Sequence, residues 1–201
     1  MDIEVKDDCV MGSLSHHAYA TNVHAPGYAL YLWLFGCNKQ CEGCMSDNLR
    51  IIKPFTDIRG MLDMIFAEAI AKGIDGIVIS GGEPMLQPAV LEYFLEKAND
   101  FNLTSERKLF IHVYTGYKYE DLIKERHLKT IISRLDVLVD GEYREEFDDS
   151  KSLRGSSNQQ IYFPTNRRDV IDAYALLAKT PRKVTTVFSE DLKKFINIGL
   201  S

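Results

Sequence analysis

Three of the four cysteines in this 201-residue chain fall within one short stretch, Cys37-Asn-Lys-Gln-Cys41-Glu-Gly-Cys44, with the spacing C-x3-C-x2-C. Thiolates are soft ligands that suit zinc or an iron–sulfur cluster. A structural zinc takes four ligands in a closed tetrahedron, yet the fourth cysteine, Cys9, lies far off near the N-terminus and reads as a bystander. A cubane cluster on three thiolates leaves one iron without a protein ligand, open to a small molecule, whereas electron-transfer clusters use four cysteines. The competing reading is a zinc site completed by His16, His17 or His24, since catalytic zinc also occurs with three protein ligands. Closely spaced cysteines in a reducing compartment are ligands or catalysts more often than disulfides.

The elements around these residues read as alternating strands and helices. Tyr28 to Phe35 is an apolar run with the character of a strand buried on both faces, and Gly36 ends it at the cysteine loop. Thr56, after Pro54, reads as the N-cap of a helix carrying Ile58, Met61, Leu62, Ile65, Phe66, Ala69 and Ile70, stopped by Gly73. Ile77 to Ile79 predicts a second strand, and Val90, Leu91, Phe94, Leu95 and Ala98 mark a second helix. Leu109 to Tyr114 and Leu135 to Val139 predict the third and fourth core strands, separated by a helical segment over Glu120 to Ser133. Residues 142–164 read as polar loop, Val170 to Lys179 as a helix and Lys183 to Phe188 as a late strand. This alternation predicts an α/β fold with a parallel sheet. About 200 residues are short for a closed eightfold barrel, so the expectation is one domain over 1–201, a partial, open-sided (βα) barrel of parallel strands.

Each strand leads into a polar motif: the cysteine loop, Ser80-Gly-Gly-Glu-Pro84, Thr115-Gly116-Tyr117 and Asp140-Gly141. Loops at strand C-termini are where α/β folds build sites, so these motifs converge on one face. Gly81 and Gly82 alone mark only a tight turn, but Glu83 adds a carboxylate suited to a cationic group. Asp140 reads equally as a helix cap or a ribose contact. Tyr117 either stacks on a ligand or packs, packing being the simpler role. Arg154, Ser156, Ser157 and Asn158 form a dense donor set that either grips a carboxylate or orders a surface loop. His112 and Trp33 read as core residues and His16-His17 as surface.

Net charge is −5 at pH 7, with no clustered basic stretch, which argues against a nucleic-acid partner. The longest apolar run, Tyr28 to Phe35, is too short to span a bilayer. The acidic N-terminus is the reverse of a signal peptide's basic start. A cytoplasmic protein that does not engage the membrane is the expectation.

Taken together, the motifs resemble the radical S-adenosylmethionine superfamily, whose first mark is C-x3-C-x2-C after the first core strand. Gly81-Gly82-Glu83-Pro84 is similar to its second mark. Within the superfamily the chain is most similar to the activating enzymes of anaerobic ribonucleotide reductase. That narrower resemblance rests on Gly43 before the third cysteine, Tyr114-Thr-Gly-Tyr117, Val139-Asp-Gly141 and Arg154-Gly-Ser-Ser-Asn-Gln159. It implies a [4Fe–4S] cluster on Cys37, Cys41 and Cys44, with S-adenosyl-L-methionine chelated at the open iron. It further implies cofactor contacts from Gly81, Gly82, Glu83, Pro84, Thr115, Asp140, Arg154, Ser156 and Asn158. The implied reaction is reductive cleavage to a 5′-deoxyadenosyl radical that abstracts a glycine hydrogen. Its implied partners are a glycyl-radical enzyme, the large subunit of anaerobic ribonucleotide reductase, and an electron donor such as flavodoxin or ferredoxin. One departure stands out. Activating enzymes carry Asp-Gly-Pro-Gly and an arginine before the first strand, where this chain has His24-Ala-Pro-Gly27 followed by Tyr28 and Ala29. The alternative is the same radical chemistry on another peptide or on a small molecule, as in deazapurine synthesis.

Overall fold

A computed structural model describes residues 9–150, 153–180, 183–188 and 195–198. In chain order the elements are β1 (Met11–Gly12), β2 (Leu14–Thr21), β3 (Tyr28–Leu34), β4 (Thr56–Asp57), α1 (Arg59–Ala71), β5 (Gly76–Gly81) and α2 (Pro88–Thr104). They continue with β6 (Phe110–Tyr114), α3 (Tyr119–Leu122), α4 (Arg126–Ile132), β7 (Val137–Asp140), β8 (Gln160–Tyr162), α5 (Arg168–Leu177), β9 (Thr185–Phe188) and β10 (Phe195–Ile198). The main sheet has the order β2-β3-β5-β6-β7-β8. Its four central strands are parallel, as the alternation of strands and helices requires, while β2 and β8 lie antiparallel at the two edges. The sheet is therefore mixed rather than wholly parallel.

Side chains alternate across a strand, and the two faces have different tasks. Leu30, Leu32, Leu34, Ile77, Ile79, Ile111, Val113 and Leu138 point to one side, where they form a core with Leu62 and Ile65 of α1, Val90, Leu91 and Phe94 of α2, and Ile131 and Ile132 of α4. Tyr31, Val78, Phe110 and Val137 point to the other, toward Val170, Tyr174 and Leu177 of α5. Helices on one face and a partly covered opposite face account for strands that read as continuous apolar runs.

Several expectations are corrected here. Thr56 is not an N-cap: it pairs with Gly12 in the β1–β4 ladder, and α1 begins at Arg59. The carboxylate of Asp57 accepts from the Arg59 and Val10 amides, so it ties the helix start to the N-terminal segment. The segment from Glu120 to Ser133 divides into α3 and α4, because Lys124 to His127 offers no apolar residue to join buried Leu122 to Ile131 and Ile132. Strand β2 is absent from the sequence reading. It buries only small residues, Ala18 and Ala20, and carries Ser, His and Thr, so its alternation is weak. Within the polar stretch 142–164, three residues form edge strand β8 against β7. The late strand is β9, paired antiparallel with β10.

His112 lies on the α5 side of the sheet, fully buried, and shares a 2.8 Å hydrogen bond between Nδ1 and the Tyr174 hydroxyl. Its Nε2 has no partner among the described residues. Burial lowers its pKa from 6.5 to about 3, with nearby His24 adding to the effect. The unfolded chain thus binds more protons than the folded one between those two values, and stability from this residue is complete above pH 6.5 and lost as pH falls toward 3. Urea titrations at pH 6.5 and pH 5 are expected to show wild type losing about 2 kcal/mol more than His112→Gln over that interval. Parallel losses would refute this account of His112.

Candidate metal centre

The end of β3 and the end of β5 lie side by side, and the backbone stitches the loops that leave them. Gly82 N donates to Leu34 O and Glu83 N to Gly36 O, both at 2.8 Å. A Cβ on Gly82 would run into the Gly36 carbonyl, and one on Gly81, which has φ +113°, into the Leu34 backbone. The Gly-Gly pair is therefore needed for close approach of two chains. Gly36 N and Cys37 N continue the stitching to Leu49 O (2.8 Å) and Arg50 O (3.3 Å). The Arg50 guanidinium closes the cysteine loop by donating to Cys41 O and pairing with Asp47 at 2.7 Å. Gln87, a residue the sequence does not advertise, is buried beneath: its Nε2 donates to Phe35 O at 2.7 Å and its Oε1 accepts from Ser13 N.

A cavity of about 650 Å³ opens beside this junction. Cys37, Cys41 and Cys44 line it together with Gly81, Gly82 and Glu83, and Thr115 and Gly116 at the end of β6 complete the upper wall. The three thiols are neither sealed nor free in solvent. Burial pushes the Cys37 and Cys41 thiols above their ordinary range, although the Lys39 amide, 3.4 Å from the Cys37 sulfur, pulls Cys37 back. Coordination would deprotonate them outright. Among the described residues no three His, Cys, Asp or Glu side chains gather as a single metal ion requires. Three thiolates on a cubane bind different irons and need not converge on one point.

Glu83 is 1% exposed. Its Oε1 accepts from Met85 N (2.9 Å) and the Thr115 hydroxyl (2.8 Å), and its Oε2 from Gly116 N (2.7 Å). Burial raises its pKa, while those three donors and Lys39 act against the rise. A carboxylate has about four acceptor positions, so three protein donors leave room for one more.

The lower wall was not foreseen. Trp33 and Tyr31 line the cavity from the sheet face opposite α1 and α2, and His16 stacks on Trp33 with ring centroids 4.6 Å apart. His16 is thus half-buried in the site and not at the surface. His24 also lines the cavity, edge-on to Tyr114 at 5.8 Å. The signal was present in β3, where Tyr31 and Trp33 share one parity and the three leucines the other.

The remaining candidate residues lie off the cavity wall. Pro84 is buried as the first residue of a short 3₁₀ turn. Asp140 spends its oxygens on backbone: Oδ2 accepts from Tyr119 N (2.8 Å) and Oδ1 from Gln160 N (3.1 Å). Arg154 pairs with Asp149 and donates to Gln159 O. The Ser156 hydroxyl accepts from Arg144 N, and Asn158 Nδ2 donates to Glu142 O. From that segment it is Gly155 and Gln159 that line the cavity. Cys9 is exposed, its sulfur 3.3 Å from that of Met11.

Residues 23–162, from the turn before β3 to the end of β8, match the family described as 4Fe-4S single cluster domain. The chain is 30% identical over 152 residues to the anaerobic ribonucleoside-triphosphate reductase-activating protein of Enterobacteria phage T4, covering 72% of this chain and 89% of that protein. It is 32% identical over 154 residues to the protein of the same name from Salmonella typhimurium, covering 73% of this chain and 96% of the relative. The Escherichia coli K12 protein of that name is 30% identical over 157 residues, covering 74% and 98%. The chain belongs to this activating-protein family. The 4Fe-4S domain match spans every cavity residue named above except His16, which lies on β2 ahead of it. Among the described residues, no helix of the chain is long and apolar enough to cross a membrane.

If the stitched junction holds the cysteine loop in place, Gly82→Ala is expected to lower stability by about 2 kcal/mol through overpacking. It should also reduce iron and sulfide retained after anaerobic reconstitution to well under half of wild type. Thermal unfolding together with metal analysis checks both, and wild-type retention would show that the junction does not govern the loop.

Proposed function

We propose that this chain cleaves S-adenosylmethionine reductively and uses the resulting radical to install a glycyl radical on an anaerobic ribonucleotide reductase. The observation that carries the proposal is that three thiols and the Gly81-Gly82-Glu83 turn line the same cavity. The names of the relatives support the choice of partner. The donor set fits a [4Fe–4S] cluster: three soft ligands, half-buried, on a loop without regular structure. When bound, such a cluster would supply one electron to the sulfonium, and breakage of a carbon–sulfur bond would give methionine and a 5′-deoxyadenosyl radical.

The chain's own residues bind, orient and exclude water. Cys37, Cys41 and Cys44 would hold the cluster. Glu83, with one acceptor position left and a cavity-facing place, receives the ammonium group of the methionine end. The Gly81-Gly82 backbone and Thr115 shape the wall around it. Trp33, Tyr31 and Tyr114 give the lower half an aromatic lining, which keeps water from a reactive intermediate. A central sheet of parallel strands with one antiparallel strand at each edge supports an open-sided barrel, which lets a glycine-bearing segment of a protein reach the radical. A flavodoxin- or ferredoxin-type donor supplies the electron.

A second reading keeps the chemistry and changes the target to another peptide or a small molecule. It is favoured by one observation: His24, in the stretch that departs from the activating-enzyme pattern, lies on the cavity wall.

After anaerobic reconstitution with iron and sulfide, the chain given a reductant and S-adenosylmethionine should release 5′-deoxyadenosine, and Cys41→Ala should release at least a hundredfold less. Equal release would refute the ligand assignment. Added anaerobic reductase should then acquire a glycyl radical visible by electron spin resonance. Release of 5′-deoxyadenosine without that signal would select the second reading.

A further inference from the structure

We infer that Lys39 and Glu142 are positioning residues that clamp the cysteine loop across the cavity mouth, and that Asn158 and Gln159 act on the loop through them. This inference rests on the cluster reading above and concerns how its ligands are held. Between Cys37 and Cys41 the chain has no regular secondary structure. Its stem is fixed by Arg50 and by the β3–β5 junction, but the far side of the loop needs its own support.

That support comes from the loops after β6 and β7. Lys39 Nζ is 3.0 Å from Glu142 Oε1 and lies 4.3 Å above the centre of the Tyr117 ring. Asn38 Nδ2 donates to the Tyr117 hydroxyl at 2.6 Å. The lysine side chain is only 22% exposed. Its stem crosses Gly116, where a Cβ would come within 3.2 Å of Lys39 Cγ. The backbone amide of Lys39 in turn lies 3.4 Å from the Cys37 sulfur, so whatever steadies this residue steadies a hydrogen bond to a ligand atom.

Glu142 is held from behind. Asn158 Nδ2 donates to Glu142 O at 2.9 Å, and Gln159 Nε2 donates to Gly141 O at 2.7 Å. Gln159 Oε1 accepts from the amides of Gly155 and Ser156 and so fixes its own loop. The segment from Arg154 to Gln159 thereby gains a role that does not require Arg154, Ser156 or Asn158 to touch a ligand. It braces the anchor that Lys39 grips.

Charge reversal tests the clamp. In the reduced chain without cluster, peptide-resolved hydrogen exchange across residues 38–44 is expected to rise about fivefold in Lys39→Glu and in Glu142→Lys, the sum of a partly exposed ion pair and a cation–π contact. The double variant, with the pair restored in reverse, should recover at least half of that change. Asn158→Ala should move exchange in the same loop, although it touches no residue of it. In the reconstituted chain, iron loss to a chelator should follow the same order. Single variants with wild-type loop exchange, or a double variant no slower than the faster single, would overturn the clamp. If a reversal variant loses its far-ultraviolet dichroism, Lys39→Met, which keeps the apolar stem, carries the same comparison against Lys39→Arg. A wild type that takes up no iron would refute the cluster reading, while the exchange measurement would still decide the clamp.

Discussion

Two backbone hydrogen bonds, from Gly82 to Leu34 and from Glu83 to Gly36, determine what the rest of this site can be. They join the ends of two adjacent parallel strands, so the loop with the thiols and the turn with the carboxylate leave the sheet at one point and face one cavity. Only residues without a Cβ allow the two chains so near. The sheet beneath supplies rigidity. β3 and β5 lie in its parallel centre, and their leucines and isoleucines are buried against α1 and α2. A site on such strands is held more firmly than one built from loops alone.

The electrostatics of the upper wall follow from that placement. Glu83 has lost nearly all contact with water, and desolvation works against its charge. The amides of Met85 and Gly116 and the Thr115 hydroxyl oppose this, so the carboxylate is fixed in orientation by the fold itself. The turn after β5 and the loop after β6 are thus tied through one side chain. Farther out, Lys39 and Glu142 link the cysteine loop to the end of β7. The cavity mouth is a ring of strand ends connected by polar side chains, above a floor of aromatic rings.

Much of this was legible in the sequence where a strong local signal existed. The C-x3-C-x2-C spacing and the Gly-Gly-Glu turn, each after an apolar run, marked the centre of the site, and the core of α2 followed from Val90, Leu91, Phe94, Leu95 and Ala98. Other features depended on tertiary context. Strand β2 buries alanines and displays histidines, so neither composition nor alternation separates it from a loop. Trp33 looked like any core aromatic until strand pairing set which face it occupies. Asp140 and Arg154 have the chemistry of ligand contacts, but an ionised side chain bonds whatever donors or charges the fold brings nearest. Here those are the amides of Tyr119 and Gln160 for one and the carboxylate of Asp149 for the other.

Under the proposed function, Cys37, Cys41 and Cys44 would hold a four-iron cluster in which one iron has no protein ligand. Mössbauer spectroscopy of the chain reconstituted with enriched iron addresses it most directly. One iron of the four is expected to change its isomer shift when S-adenosylmethionine is added, while the other three hold theirs. Four irons that ignore the addition, or a chain that retains zinc and no cluster, would contradict it.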